Sequence, residues 1–394
     1  MRTFESAYAN TALLIASIFL LLGLGMVTLY SSSFGTLFFK NQIIFCAIGL
    51  LLFAGTAAID IEIIRKYAIK PLFILALVLC VLTFIPGIGV KYNEARRWIS
   101  FGSFTYQPSE LVKFVLPLYL AHFFDRKQNL INDFSKGILP PVLIITLFCA
   151  LVILQNSYST AVFIALNALL VLFVAGIRLR YFNSVVFVYA LVAVQLILSK
   201  THRVERVGRF MHRILSRFFP HLFQNQSEQE VQRAKDQLEY SMDAIQSGGF
   251  FGNGIGLGTR RVASVPEIHS DFIFAAYCEE TGFLGVALFM ALMAVFAVWG
   301  YKSALGSATL FTRLLGFSLV TTIISQVLLN IAVASGFLPV TGVPLPFFSA
   351  GGSSLWTTLI CAGLIVNISR YKNQSGMAYG AYGMRGAREN LYGK

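Results

Sequence analysis

FIFAAYCEETGFLGVALFMALMAVFAVW, Phe272 to Trp299, runs for 28 residues with Glu279 and Glu280 as its only charges. Roughly 20 apolar residues cross the hydrocarbon of a bilayer as a helix, so this stretch is membrane-grade. The seven residues before it read VPEIHSD, Val265 to Asp271. An ionisable carboxylate at the mouth of a membrane segment is expensive to keep, which makes Asp271 a functional-site candidate. The bland alternative is that Ser270 or Asp271 caps the helix by accepting its free amide hydrogens. The two readings are compatible. A helix N-terminus favours an ionised carboxylate, and a general base must be ionised to accept a proton.

Upstream, six glycines fall within the eleven residues Gly248 to Gly258. The loop departs from the Walker and dinucleotide patterns. Exposed amides cradling an anion are one reading, and close packing of the loop on the membrane face is the simpler one. Further upstream, His202 to Phe219 interleaves basic and apolar residues as an amphipathic surface helix does. Gln226 to Gln246 then sets Val231, Ala234, Leu238, Met242 and Ile245 on one helical face.

The rest of the chain places these pieces in a membrane. Of 394 residues, 56% are hydrophobic and 12% charged, against about 25% charged in soluble domains, and the mean hydropathy is +0.71. Ten apolar stretches stand out: 11–30, 37–59, 69–86, 109–124, 138–154, 160–176, 182–199, 272–299, 314–337 and 350–368. The expectation is an all-α polytopic membrane protein of about ten transmembrane helices. Helices 1–7 span residues 11–199 and helices 8–10 span 271–369, with a large extracytoplasmic loop at 200–270 between helices 7 and 8. Short tails at 1–10 and 370–394 are expected in the cytoplasm. Orientation follows from counting Lys and Arg in short loops. With the N-terminus inside, sixteen fall inside and four (Lys40, Lys91, Arg96, Arg97) outside. Much of the net charge of +13 is then topological, the rest faces the outer membrane surface, and it signals no nucleic-acid partner. The five cysteines all fall in apolar stretches without metal spacing and read as small buried hydrophobes.

Three further constellations carry chemistry. Glu110 and Lys113, three apart after Pro108, share a helix face and form either a structural ion pair or a cavity site. Arg96 and Arg97 beside Trp98 suit head groups or bidentate phosphate contacts. Gln326 and Asn330, Asn167 and Gln195 are deep polar residues whose ordinary work is interhelical hydrogen bonding.

Taken in order, four motifs resemble those of the SEDS family of shape, elongation, division and sporulation proteins, over roughly Thr11 to Arg370. They are ARRW (Ala95 to Trp98) with QPSELVK (Gln107 to Lys113), and SGG (Ser247 to Gly249) with Gly252 and Gly254. PEIHSDFIF (Pro266 to Phe274) with Glu279, Glu280 and Gly282 follows, then PLP (Pro344 to Pro346) with SAGGSS (Ser349 to Ser354). The resemblance implies an inverting glycosyltransferase that polymerises lipid II at the outer face of the bacterial cytoplasmic membrane, with a class B penicillin-binding protein as transpeptidase partner. Asp271 would be the catalytic base. Glu110 and Lys113 would line the cavity, and Arg96, Arg97, Arg260, Arg261, Glu267 and His269 would meet substrate. A divalent cation (Mg or Mn) on the pyrophosphate is compatible with this, although no ligand cluster in the sequence demands one. Gln155 to Thr160 (QNSYST) departs from the family's QPDLGT, with Ser157 at the acid's place. Glu94, Ser270 and Ala350 replace the usual glycine, threonine and tyrosine. Gly254 to Gly258 resembles the division branch, toward which the reading leans, and Pro344 to Pro346 the elongation branch. A lipid II flippase and a non-catalytic division scaffold are the alternative functions.

Overall fold

Each of the ten apolar stretches coincides with a helix over most of its length. The structure, a computed structural model, describes residues 2–33, 37–92, 95–102, 104–199, 208, 211, 237–258 and 269–371. The basic segment 202–219 (residues 208 and 211 apart), the start of the 226–246 face, Arg260, Arg261, Glu267 and the tail from 372 lie outside the described residues.

In chain order the helices begin with α1 (Arg2–Ser33) and α2 (Leu37–Ala58). A three-part helix follows, made of α3 (Ile61–Ile63), a π-helical turn (Ile64–Ala68) and α4 (Ile69–Leu82). Next come α5 (Pro108–Arg126), α6 (Leu139–Leu154), α7 (Tyr158–Val174), α8 (Leu179–Leu198) and α9 (Gln237–Ser247), then α10 (Ile273–Leu305), α11 (Leu310–Ala334) and α12 (Gly352–Tyr371). Seven helices among the described residues are long and apolar enough to cross a membrane. The helix over 61–82 and α5 carry charges within their runs, and α7 has 17 residues.

Charge decides which helix goes to the middle. α5 carries Glu110 and Lys113 in its first turns and is buried along most of its length. It packs against α4, α7 and α11. Its Pro108 sits at the first helical position, where a missing amide costs nothing. α8 has no charged residue after Arg180, buries no residue, and packs mainly on α7. α10 packs on α1 and α11. On α9, Leu238 is buried, and Met242 and Ile245 pack on the core as their spacing predicts.

The segment before α5 folds into a small antiparallel sheet in the order β1 (Gly89–Tyr92), β2 (Ala95–Phe101), β3 (Phe104–Tyr106). Buried Ile99 stands opposite Gly89 on one side and Tyr106 on the other. The helical class holds, with this sheet as an addition. Successive strand residues face opposite ways, so the side chains of Arg96 and Arg97 leave opposite faces of β2.

α10 is broken at Gly282, whose φ is +62°, and the glycine loop fills the break. The amides of Asn253 and Gly254 donate to the carbonyls of Glu279 and Glu280 at 2.9 and 3.1 Å. In return, the amides of Phe283 and Leu284 donate to the loop carbonyls of Gly249 and Phe250 at 3.0 and 3.2 Å. A Cβ at Gly248 or Gly252 would run into the α10 backbone. Glycine is therefore required by close approach, and the packing reading of this loop is the one the fold adopts.

Candidate active site

Asp271 is partly exposed and comes two residues before α10. The N-cap of α10 is Phe272, with no side-chain capping hydrogen bond, so neither Ser270 nor Asp271 occupies the capping position. What fixes the segment lies elsewhere. Three consecutive carbonyls are each held by a different donor. Ala350 N donates to His269 O at 2.8 Å, Ser349 Oγ donates to Ser270 O, and Asn330 Nδ2 donates to Asp271 O at 3.0 Å. Each such bond contributes about 1 kcal/mol net, and leaving a buried carbonyl unmatched costs more.

The donors are themselves anchored. Ser349 Oγ accepts from Leu345 N at 2.6 Å. The Phe348 ring meets Tyr277 and Phe289 of α10 edge-on, with centroids 5.4 and 5.1 Å apart. Asn330 Nδ2 also donates to Val343 O at 2.9 Å. Beside the carboxylate lies Gly342, with φ +69°. A Cβ placed there would stand 3.4 Å from Asp271 Oδ2.

One turn away on α11, Gln326 connects to the charges of α5. Lys113 Nζ donates to Gln326 Oε1 at 3.2 Å, and Gln326 Nε2 donates to Pro344 O at 2.7 Å. Lys113 Nζ lies 2.7 Å from Glu110 Oε1, and both side chains are buried. The face of Phe163 is 5.7 Å from the same nitrogen. Outside the helices, the Tyr106 phenol on β3 is pushed well above its ordinary pKa by burial and then by the Glu110 carboxylate, so it stays protonated. The Asp271 backbone carbonyl and the Lys113 ammonium thus bond to neighbouring turns of α11, through Asn330 and Gln326.

The other expected residues are less gathered. His269 Nδ1 is 3.3 Å from Ser32 Oγ at the end of α1. Arg96 is exposed on β2 and donates to Phe84 O at 3.3 Å. Arg97 donates to Asn156 O in the loop between α6 and α7. In that loop Ser157 is buried and donates to Thr160 Oγ1 at 2.9 Å. Asn167 accepts from Ser325 at 3.0 Å across the α7–α11 interface, while Gln195 is exposed on α8. Glu280, buried, accepts from Ser31 Oγ and from Gly256 N. Gly256 N also donates to Ser31 Oγ at 2.6 Å, so the end of α1 ties the glycine loop to α10. Ser31 and Gly342 escape the sequence reading, and Ser349 enters it only within a motif. The Ser31 to Ser33 run closing the first apolar stretch is the available hint. Among the described residues no group of three His, Cys, Asp or Glu side chains gathers.

Fold and site describe a polytopic membrane protein with an ionisable centre where helices meet. The chain matches the model of the cell cycle protein family FtsW/RodA/SpoVE over residues 11–374, and it belongs to that family. It is 32% identical to the probable peptidoglycan glycosyltransferase FtsW of Trichlorobacter lovleyi over 354 residues, covering 88% of this chain and 89% of the relative. It is also 32% identical to stage V sporulation protein E of Bacillus subtilis, covering 91% and 96% of the two chains. A solved chain from a peptidoglycan synthase complex superposes with a TM-score of 0.73 at 26% identity, covering 91% of this chain and 97% of that one.

Proposed function

We propose that the protein is a peptidoglycan glycosyltransferase that polymerises lipid II, with Asp271 as general base. The observation that carries this reading is the clamping of carbonyls 269–271 by three separate donors, which fixes the backbone that bears the Asp271 carboxylate, with a buried ion pair reached through the next turn of α11. An acceptor sugar hydroxyl is a poor nucleophile. As Asp271 takes its proton, the hydroxyl oxygen bonds the donor's anomeric carbon. The bond from that carbon to the pyrophosphate oxygen breaks, and undecaprenyl pyrophosphate leaves with the electron pair. An α-linked donor gives a β-1,4 linkage in this single displacement, so one base is enough.

The leaving pyrophosphate needs cations. Lys113 is already neutralised by Glu110 at 2.7 Å, so its role is to shape the cavity. Arg96, exposed on the sheet, is the better phosphate ligand, joined in this proposal by Arg97, Arg260 and Arg261. Glu267 and His269 contact the sugars. The loop-charge count supports an outer-face position for Asp271 on the cytoplasmic membrane, with both termini inside. A class B penicillin-binding protein supplies crosslinking, and division is the proposed setting.

The test uses purified protein, lipid II and the partner, comparing wild type with Asp271→Asn and Asp271→Ala. Loss of a general base predicts a fall of about 10²–10⁴ in polymerisation rate. Full polymer from both variants would overturn the base assignment. Loss of polymer with normal insertion and partner binding would reject the transporter and scaffold readings.

A further inference from the structure

The end of α5 opposite Glu110 borders a second cavity. Arg126 lies 16 residues after Glu110, which is about 24 Å along the helix at 1.5 Å per residue. The cavity there has a volume of about 310 Å³, and its walls include Arg65, Lys66, Lys70, Arg126 and His122, with Glu62 the one carboxylate among them.

The charges are unequally engaged. Arg65 binds Glu62 at 3.2 Å and Asp125 at 2.6 Å, and Asp125 also caps the start of α11 by accepting from Phe311 N. Lys66, Lys70 and Arg126 are exposed and form no ion pair among the described residues. Arg65 and Lys66 sit on the π-helical turn 64–68, an irregularity often retained at functional positions. His122 Nδ1 is buried without a hydrogen-bond partner among the described residues. Lys66 Nζ also rests 5.1 Å from the centre of the Tyr67 ring, so three cations without a carboxylate partner surround a cavity of this size and call for an anion with several acceptor oxygens.

An apolar track leads away from it. Tyr67, Ile74, Val78 and Val81 are exposed along the 61–82 helix, at spacings of seven, four and three that keep them on one side. The track starts beside the basic residues. A free anion would have no use for it, whereas acyl chains would lie along it. Basic pockets between membrane helices on the cytoplasmic side bind lipid head groups by this combination.

We propose that this cavity holds the phosphate head group of an anionic glycerophospholipid, whose chains run along the exposed side of α4. The site is separate from Asp271, so it stands or falls independently of the glycosyltransferase reading.

Full-length protein in mild detergent, titrated with dimyristoylphosphatidylglycerol, dimyristoylphosphatidylcholine or inorganic phosphate and read by native mass spectrometry, tests it. Each basic side chain near a membrane surface changes affinity about five-fold, so Lys66→Gln/Lys70→Gln/Arg126→Gln should bind phosphatidylglycerol about a hundred-fold more weakly. The charge-keeping Lys66→Arg/Lys70→Arg variant should bind as wild type does, and phosphatidylcholine should bind weakly throughout. Should the triple variant fail to fold, each single Gln variant should still show its five-fold loss. Unchanged phosphatidylglycerol binding in the variants would overturn the proposal. So would inorganic phosphate binding as tightly as the lipid, since the anion's source would then be solution.

Discussion

Removing Glu110 alone should damage the protein more than removing the whole ion pair. In the wild type, Lys113 and Glu110 are 2.7 Å apart with side chains 2% and 4% exposed. Glu110→Ala leaves a buried ammonium with, among the described residues, only the Gln326 carbonyl oxygen, at 3.2 Å, as acceptor. Breaking one side of a buried pair costs about 3–5 kcal/mol. The Phe163 face is present before and after, so it offsets nothing. Glu110→Ala/Lys113→Met removes both charges, and replacing a buried pair by apolar groups is often close to neutral. The double variant still strands Gln326 Oε1 without its donor, at about 1–3 kcal/mol. The expected order of stability is therefore wild type, then the double variant, then Glu110→Ala. Unfolding in mixed micelles with rising dodecyl sulfate fraction, followed by circular dichroism, reads that order. If Glu110→Ala is as stable as wild type, or the double variant no better than the single, the buried-pair reasoning is wrong. Polymer synthesis should fall in both variants, because the cavity charges are gone in one and unbalanced in the other.

Other outcomes follow from the same contacts. Asn330→Ala strips the donor from the Asp271 and Val343 carbonyls and should cost about 2–6 kcal/mol from two unmatched acceptors, read in the same unfolding assay. Gly342→Ala adds about 1–2 kcal/mol of left-handed backbone strain and sets a methyl beside Asp271 Oδ2. It should slow polymerisation with partner binding retained, and an unchanged kcat would remove Gly342 from the site. Gly252→Ala should sharply reduce monodisperse protein on size exclusion, because its Cβ meets the Glu280 and Thr281 backbone and its φ is +82°.

How far the sequence can be read depends on whether a feature is local. The helical runs and the face of α9 are local patterns of hydropathy, and they match the fold. The spacing of four between Gln326 and Asn330 gives an expectation of interhelical bonding, which Gln326 meets through Lys113 of α5, whereas Asn330 bonds loop carbonyls instead. Their partners, the carbonyls of Asp271, Val343 and Pro344, depend on loop conformations that no side-chain pattern encodes. Gly282 enters the sequence reading only as part of a motif, and its φ reveals a broken helix. The residues of 89–106 form strands, yet the arginines there draw the reading toward ligands. Paired in sequence, they sit on opposite faces of β2 and serve different neighbours. Capping is the natural local expectation for Asp271. It loses because the N-cap is one residue later, at Phe272. The carbonyls of Asp271 and Ser270 are satisfied from 59 and 79 residues downstream.

That distance has a consequence for how the protein is made. A membrane chain is threaded into the bilayer from its N-terminus, and Asp271 arrives before any of the groups that hold it. Asn330 follows on α11, and Ser349 and Ala350 come only as the chain turns toward its last helix. A ribosome paused between α10 and α12 would hold a nascent chain with its candidate base present and its geometry unset. Completion of the site is thereby tied to synthesis of the segment that leads into α12.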